Sequence, residues 1–205
     1  MAPPKKYTVE ELVQNDEICE KLAVILADKM TPIFEAKLEA MSKKISQLEQ
    51  ENRKLKNRVV DLEQYGRRNN VRLFGIPEDS KENTTETVIQ VVKRNLGINI
   101  SRADVDACHR VGKGTKQKPR GIICRFVSRL VRDDVFSKKK LAGTKMSIKE
   151  DLTRERMALY KKISEKFDFR SVWTLRGNIH LLYKKKKIVF TTEDEYEEWL
   201  TLEKI

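Results

Sequence analysis

The sequence predicts an α+β chain, with an N-terminal coiled coil ahead of two small mixed domains. Three patterns predict it. An apolar stripe runs at heptad spacing over residues 38–62. A strand, helix, strand, strand, helix, strand order follows, and the chain closes with a helix, three short strands and an acidic last helix. The 205 residues carry Lys+Arg 43 against Asp+Glu 31, a formal net charge of +12. That balance points towards polyanions, nucleic acid before an acidic membrane surface.

Leu38, Met41, Ile45, Leu48, Asn52, Leu55, Val59 and Leu62 lie alternately three and four residues apart. Only a repeat near 3.5 keeps one narrow apolar seam facing a partner helix over several turns. With Leu38 at a, the g positions hold Lys44, Glu51 and Arg58, and the e positions five further on hold Glu49, Lys56 and Glu63. Each pair is opposite in sign, as parallel in-register strands require. A helix packed on its own domain would carry a wider apolar face. Asn52 at an a position favours a parallel dimer. Arg58, Val59, Leu62 and Glu63 instead follow the Arg, apolar, two variable, apolar, Glu pattern of short trimeric coiled coils, in which the Arg stem covers the seam while its head pairs with Glu. The expectation is a parallel homotrimer, with the dimer as the alternative.

Residues 1–30 form a partly helical N-terminal segment, with Leu12, Ile18, Leu22, Ile25 and Leu26 in helical phase. Pro32 predicts an interruption, and the coiled coil is assigned to residues 31–66, ended by Gly66. Arg67, Arg68, Asn69 and Asn70 make a polar joint, a candidate hinge. In residues 67–151 a strand at 71–74 precedes a helix with an Asn83/Glu86 capping box and an apolar face of Val88, Val91, Val92 and Leu96 that stops at Gly97. Strands at 105–111 and 122–127 flank a Gly- and Lys-rich loop, 112–119. A helix at 130–139 and a short strand at 146–148 complete the order. It is the split βαβ arrangement of ferredoxin-like domains, which RNA-recognition motifs share.

Residues 152–205 read as a small α+β C-terminal domain. A helix from Thr153 carries Met157, Tyr160, Ile163 and Phe167, and strands at 172–175 and 179–183 meet around Gly177-Asn178, a pair suited to a tight hairpin. The lysine run Lys184 to Lys187 leads into a strand at 188–190. Thr192 and Glu195 form a capping box for the acidic last helix, which carries Tyr196, Trp199 and Leu200. Trp173, Trp199 and Tyr196 are expected in this domain's core.

Several function classes find no support in the sequence. No apolar run approaches the roughly 20 residues of a membrane span, and residues 1–6 lack the apolar stretch of a signal peptide, so an intracellular protein without a membrane partner is expected. Cys19, Cys108 and Cys124 are odd in number, far apart and off any zinc spacing, as reduced packing thiols would be. Gly112-Lys113-Gly114-Thr115 lacks the phosphate-loop spacing. Cys108 and His109 are neighbours on a strand and point to opposite faces. His109 and His180 are the only histidines, and Asp104, Asp106, Asp133 and Asp134 read as cap or surface groups. No catalytic residue, metal site or cofactor is expected, and the chain is not expected to be an enzyme.

Strand alternation aims the candidate binding residues. With Val71 and Leu73 inward, Arg72 and Phe74 point out; with Ile122, Cys124 and Phe126 inward, Ile123 and Arg125 point out. The open sheet face is expected to hold Arg72, Arg110 and Arg125. Arg120-Gly121 begins like the motif of RNA-binding sheets but continues Ile122-Ile123, so Phe74 is all that is left of an aromatic stacking platform. Phosphate contacts with weak sequence preference are therefore expected. Arg67, Arg68, Arg120, Lys138, Lys139, Lys140, Lys184 and Lys185 are further candidates, although each lysine run also reads as solvated charge. Tyr183 is the candidate stacking aromatic.

The stretch Glu63 to Glu78, with Arg67-Arg68-Asn69-Asn70-Val71-Arg72-Leu73-Phe74-Gly75-Ile76-Pro77-Glu78, resembles the first-open-reading-frame protein of LINE-type non-LTR retrotransposons. Ala107-Cys108-His109-Arg110-Val111-Gly112-Lys113 and Pro119-Arg120-Gly121-Ile122-Ile123-Cys124-Arg125-Phe126 match it too. Tyr183 and the Val172-Trp173 hairpin are similar to the related baculovirus FP proteins. The resemblance covers residues 38–200. It implies a trimeric chaperone that binds RNA and single-stranded DNA and coats its own element's RNA in a cytoplasmic ribonucleoprotein; lysine runs also serve nuclear import. The chain departs from the family at Tyr160-Lys161, where an Arg-Arg pair is common. The alternative is a structural or interaction protein, viral or domesticated, whose coiled coil recruits partners.

Overall fold

The computed structural model describes residues 8–10, 16–113, 115, 119–137 and 146–204. The chain divides into two compact units, residues 1–56 and 57–205. The described residues of the first unit are dominated by one helix, α1 (Asp16–Gly66), 51 residues long, whose last turns belong to the second unit. The interruption expected at Pro32 is absent, since Pro32 lies inside α1. A helix-interior proline removes one backbone donor and costs about 3 kcal/mol; full turns on both sides carry the helix through it. Leu38, Met41, Ile45, Leu48 and Leu55 are each at least 50 % exposed, as are Val59 and Leu62 further on. The seam is thus bare along a single chain.

The second unit is mixed α+β. Its first half contains β1 (Asn70–Phe74), α2 (Thr84–Leu96), β2 (Val105–Val111), β3 (Gly121–Phe126), α3 (Arg129–Ser137) and β4 (Ser147–Glu150). The strands form one antiparallel sheet in the order β2-β3-β1-β4. Strand alternation puts Val71, Leu73, Ile122, Cys124, Phe126 and Ile148 on one face, where they form one core with Val88 and Val92 of α2 and Val135 and Phe136 of α3. Asn83 caps α2 by accepting from the Thr85 and Glu86 backbone N–H groups, and Gly97 ends it at φ +66°.

One side chain lies on the opposite face from that expected. In β2 the pairing slips between Val105 and Ala107: Val105 faces Phe126 and Ala107 faces Arg125, so Asp106 is the extra residue of a bulge. An unbroken alternation from Val105 would have turned Arg110 outward. After the bulge, Cys108 pairs with Cys124 and Arg110 with Ile122, both inward-facing residues.

The joint at residues 67–70 is pinned and is not a hinge. Phe126 donates its N–H to the Asn69 carbonyl, Asn69 Nδ2 donates to the Phe126 and Val127 carbonyls, and Asn70 Nδ2 donates to Asp151 at 2.8 Å. Gln64, buried near the end of α1, gives its Nε2 to the Asp151 carbonyl and takes the Thr153 N–H on its Oε1.

The second half holds α4 (Arg154–Lys166), β5 (Val172–Leu175), β6 (Asn178–Tyr183), β7 (Lys186–Phe190) and α5 (Glu193–Glu203). Thr153 caps α4, and the Thr192/Glu195 capping box opens α5. The strands form an antiparallel sheet, β5-β6-β7. Its core joins Val172, Ile179, Leu181 and Phe190 to Leu159 and Ile163 of α4 and Tyr196 of α5. Trp199 packs at the margin of that core, but Trp173 does not. Its register partner is His180, which alternates with the core residues Ile179 and Leu181, so Trp173 sits on the other face of the sheet. Both hairpins turn on two residues with positive φ: Arg176 (+56°) with Gly177 (+79°), and Lys184 (+46°) with Lys185 (+66°). The first turn thus lies one residue earlier than expected.

Candidate nucleic-acid interface

The candidate residues separate into arginines committed to internal bonds and arginines that remain available. Arg110, with only 4 % of its side chain exposed, grips both Glu82 oxygens at 2.7 and 2.8 Å and donates to the Ile76, Pro77 and Arg120 carbonyls. It knits β2 to the segment after β1 and offers no donor to a ligand. The hydrogen bond from Arg110 holds the Glu82 carboxyl below the usual carboxylate range. Arg120 is paired with Glu78, whose pKa is lowered by the Arg120 hydrogen bond in the same way.

The open face of the four-stranded sheet carries a row formed by His109, Ile123, Arg72 and Lys149, one residue per strand. Beside it Phe74 lies across Gly121, where a β-carbon would come within 2.8 Å of the ring, and Lys149 Nζ stands 5.8 Å from the ring centroid. Arg125 is half exposed and pairs with Asp106 at 3.1 Å. Arg72 reaches the same face but donates its Nε to buried Asp151 at 2.6 Å. Asp151 also takes Arg67 Nη1 at 3.4 Å, and Arg67 further donates to Glu63 and to the Leu152 carbonyl.

Near Arg67 the second unit opens a cleft of about 180 Å³. Arg67, Arg68, Arg129, Arg132, Arg156 and Arg176 line it, against the carboxylates of Asp61, Glu150 and Asp151, six cations to three anions. Arg132 and Arg156 form its inner wall. Arg132 Nη2 bonds Glu150 at 2.9 Å, and Arg156 Nη2 bonds Asp61 at 2.6 Å. Glu150 also accepts the Arg176 and Gly177 backbone N–H groups. Even so, the buried Nε atoms of Arg132 and Arg156 have no hydrogen-bond partner, so the carboxylates leave donor capacity unused. Arg67 is held by Glu63, Asp151 and the Leu152 carbonyl, but the remaining three guanidinium groups are held loosely. Arg68 stacks on the Tyr65 ring at 3.8 Å, Arg129 stands 3.8 Å from Asp133, and among the described residues the Arg176 side chain has no ion pair. Such a site suits an oxyanion, because a guanidinium offers a planar pair of donors that matches phosphate oxygens.

Arg67 and Arg68 are the residues of this cleft that the sequence singles out. Arg129, Arg132, Arg156 and Arg176 come from places far apart in the chain, and no local spacing marks them. Lys138, Lys139 and Lys140 lie outside the described residues. Tyr183 packs edge-on against Phe167 and Trp199 at 5.8 and 5.3 Å, so its ring closes the small core. Lys184 reaches over that ring at 4.8 Å and pairs with Glu203, while Lys185 is exposed. Among the described residues no group of three or more His, Cys, Asp or Glu side chains could hold a metal ion, and no helix is long and apolar enough to cross a membrane. Compared with known proteins, the chain matches no family model and no curated protein.

Proposed function

We propose that this chain is a non-enzymatic, oligomeric protein that binds single-stranded nucleic acid, mainly RNA, through phosphates, and acts as the chaperone of a retrotransposon ribonucleoprotein. The observation that carries the reading is the arginine cleft, with Arg68, Arg129 and Arg176 loosely held around a preorganised inner wall. The sheet order β2-β3-β1-β4 with both helices on one face is what a ferredoxin-like RNA-recognition motif requires, and it leaves the other face to Arg72, Lys149 and Arg125. With Phe74 the main aromatic there, phosphates and sequence-tolerant stacking supply the affinity. The bare seam of α1 supports a parallel trimer, which multiplies weak sites without adding contacts.

The test is a salt titration of a labelled uridine-rich strand against the full chain. Five phosphate contacts on a single strand lower the affinity about a hundredfold between 50 and 200 mM salt. Changing Arg68, Arg129 and Arg176 together to Ala is expected to flatten that slope by about 2. A salt-independent affinity, or no binding, would overturn the reading in favour of a protein that only recruits partners through its coiled coil.

A further inference from the structure

The outer face of β5-β6-β7, away from α4 and α5, has no role in the cleft or on the first sheet. Trp173 and His180 lie on it as register partners with rings parallel to within 10° and 5.5 Å between centroids. Lys187 Nζ stands 5.7 Å from the Trp173 ring centroid. Leu182 and Val189 extend the face and are 49 % and 42 % exposed. Lys187 lies on this face beside Leu182, and exposed Lys185 sits in the turn at its end, whereas Lys184 and Lys186 lie towards Tyr183 on the covered side.

Resting on the nucleic-acid reading above, we propose that this face is a second binding site, on which an unpaired nucleobase stacks against Trp173 while Lys187 and Lys185 meet the adjoining phosphates. Three features favour this occupant. His180 is 7 % exposed yet lies outside the apolar core, with its buried Nδ1 unpartnered. Its ring stacks on one side of the indole and so fixes the indole's orientation, as a stacking platform requires. Burial, and then the Lys187 charge, hold the His180 pKa below its ordinary value, so the supporting ring is uncharged at neutral pH. Finally, lysine is depleted in protein–protein interfaces but suited to a polyanion, and Lys187 with Lys185 is complementary to phosphate here.

The chain has two tryptophans, Trp173 and Trp199. Full-length Trp199→Phe makes Trp173 the sole indole emitter. A uridine 15-mer, followed by anisotropy of a labelled copy and by quenching with an unlabelled one, is compared with an abasic strand of equal length. The uridine strand is expected to quench Trp173 emission by about half, whereas the abasic strand binds without quenching it. Trp173→Ala weakens uridine binding about tenfold, and Trp173→Phe, which retains a ring, keeps it within about threefold of the parent. Normal anisotropy with unchanged Trp173 emission, and full affinity in Trp173→Ala, would overturn this site and leave the nucleic-acid reading standing. No anisotropy change with either strand would overturn both. A shift in sedimentation of Trp173→Ala with unchanged affinity would assign the face to contact between copies of the chain and overturn the proposal.

Discussion

Gln64 lies across Gly177 so closely that a β-carbon built on the glycine would stand 2.5 Å from Gln64 Cγ and 2.7 Å from Cδ. Gly177 is also at φ +79°, the second residue of the β5–β6 turn, and its N–H is held by Glu150. Gln64 cannot retreat without giving up its bonds to the Asp151 carbonyl and the Thr153 N–H. Gly177→Ala is therefore expected to lower the unfolding free energy by about 2–3 kcal/mol, the sum of a positive-φ penalty and overpacking. Urea midpoints check it. In a double-mutant cycle with Gln64→Ala the two changes are expected to be non-additive by at least about 0.5 kcal/mol, because the truncated side chain clears the clash.

The Lys184–Lys185 turn sets stability against charge. Both residues hold positive φ, where a non-glycine residue costs about 1 kcal/mol or more and where Asn-Gly is the favoured pair of a two-residue hairpin. Replacing the pair by Asn-Gly is expected to raise the urea midpoint by the equivalent of about 1 kcal/mol. The same variant is expected to weaken RNA binding and make its salt slope shallower by up to about 1.4. Urea melts and a salt titration on one preparation read both effects.

Stability should also report His180. Burial, then Lys187, lowers its folded pKa below 6.5, the backbone of Leu175 and the charge of Glu150 opposing them. The folded state thus prefers the neutral ring. As pH falls through 6.5 the unfolded chain takes up a proton that the folded chain refuses, so stability falls over the window just below that value. Urea midpoints between pH 7 and pH 5.5 are expected to decline in the parent and to stay nearly level in His180→Phe. Glu78, Glu82 and Asp104, whose pKa values are lowered, keep their full contribution throughout this window and lose it only as pH falls through the ordinary carboxylate range and below.

The seam of α1 gives the fourth test. Leu48→Asp places a charge at an a/d position and is expected to leave only monomer in sedimentation equilibrium, while Arg58→Ala is expected to shift a trimer towards dimer. Asn52→Leu should tighten association and blur its stoichiometry, since a single polar a residue specifies the oligomer at a cost in stability.

Local signals in the sequence are the reliable ones. Asn83, Gly97, Thr153, Thr192 and Glu195 mark helix ends because caps are made within four residues, and β1 and β3 are legible because alternation needs no knowledge of the partner strand. Arg110 is not legible in this way. Its face depends on the bulge at Asp106, and a bulge shows only in pairing. Trp173 reads as a core residue because large aromatics usually lie inside; its face depends on which side α4 and α5 cover. The cleft is half visible. Arg67 and Arg68 stand out as a doublet, but Arg129, Arg132, Arg156 and Arg176 meet them only through folding.

The stretch Glu150, Asp151, Leu152 and Thr153 carries a consequence for how this chain can change over evolution. Four successive residues hold Arg132, the Arg176–Gly177 turn, Arg67, Asn70, Arg72 and Gln64. A boundary between 151 and 152, where the sequence pattern changes from one domain to the next, therefore divides nothing separable. A recombination there would part Arg156 from Asp61, Gln64 from the Thr153 N–H and Glu150 from the Arg176 and Gly177 N–H groups, and the buried Arg156 charge would be left without its carboxylate, which is destabilising. The two sheets therefore share one set of buried hydrogen bonds and would be exchanged as a unit.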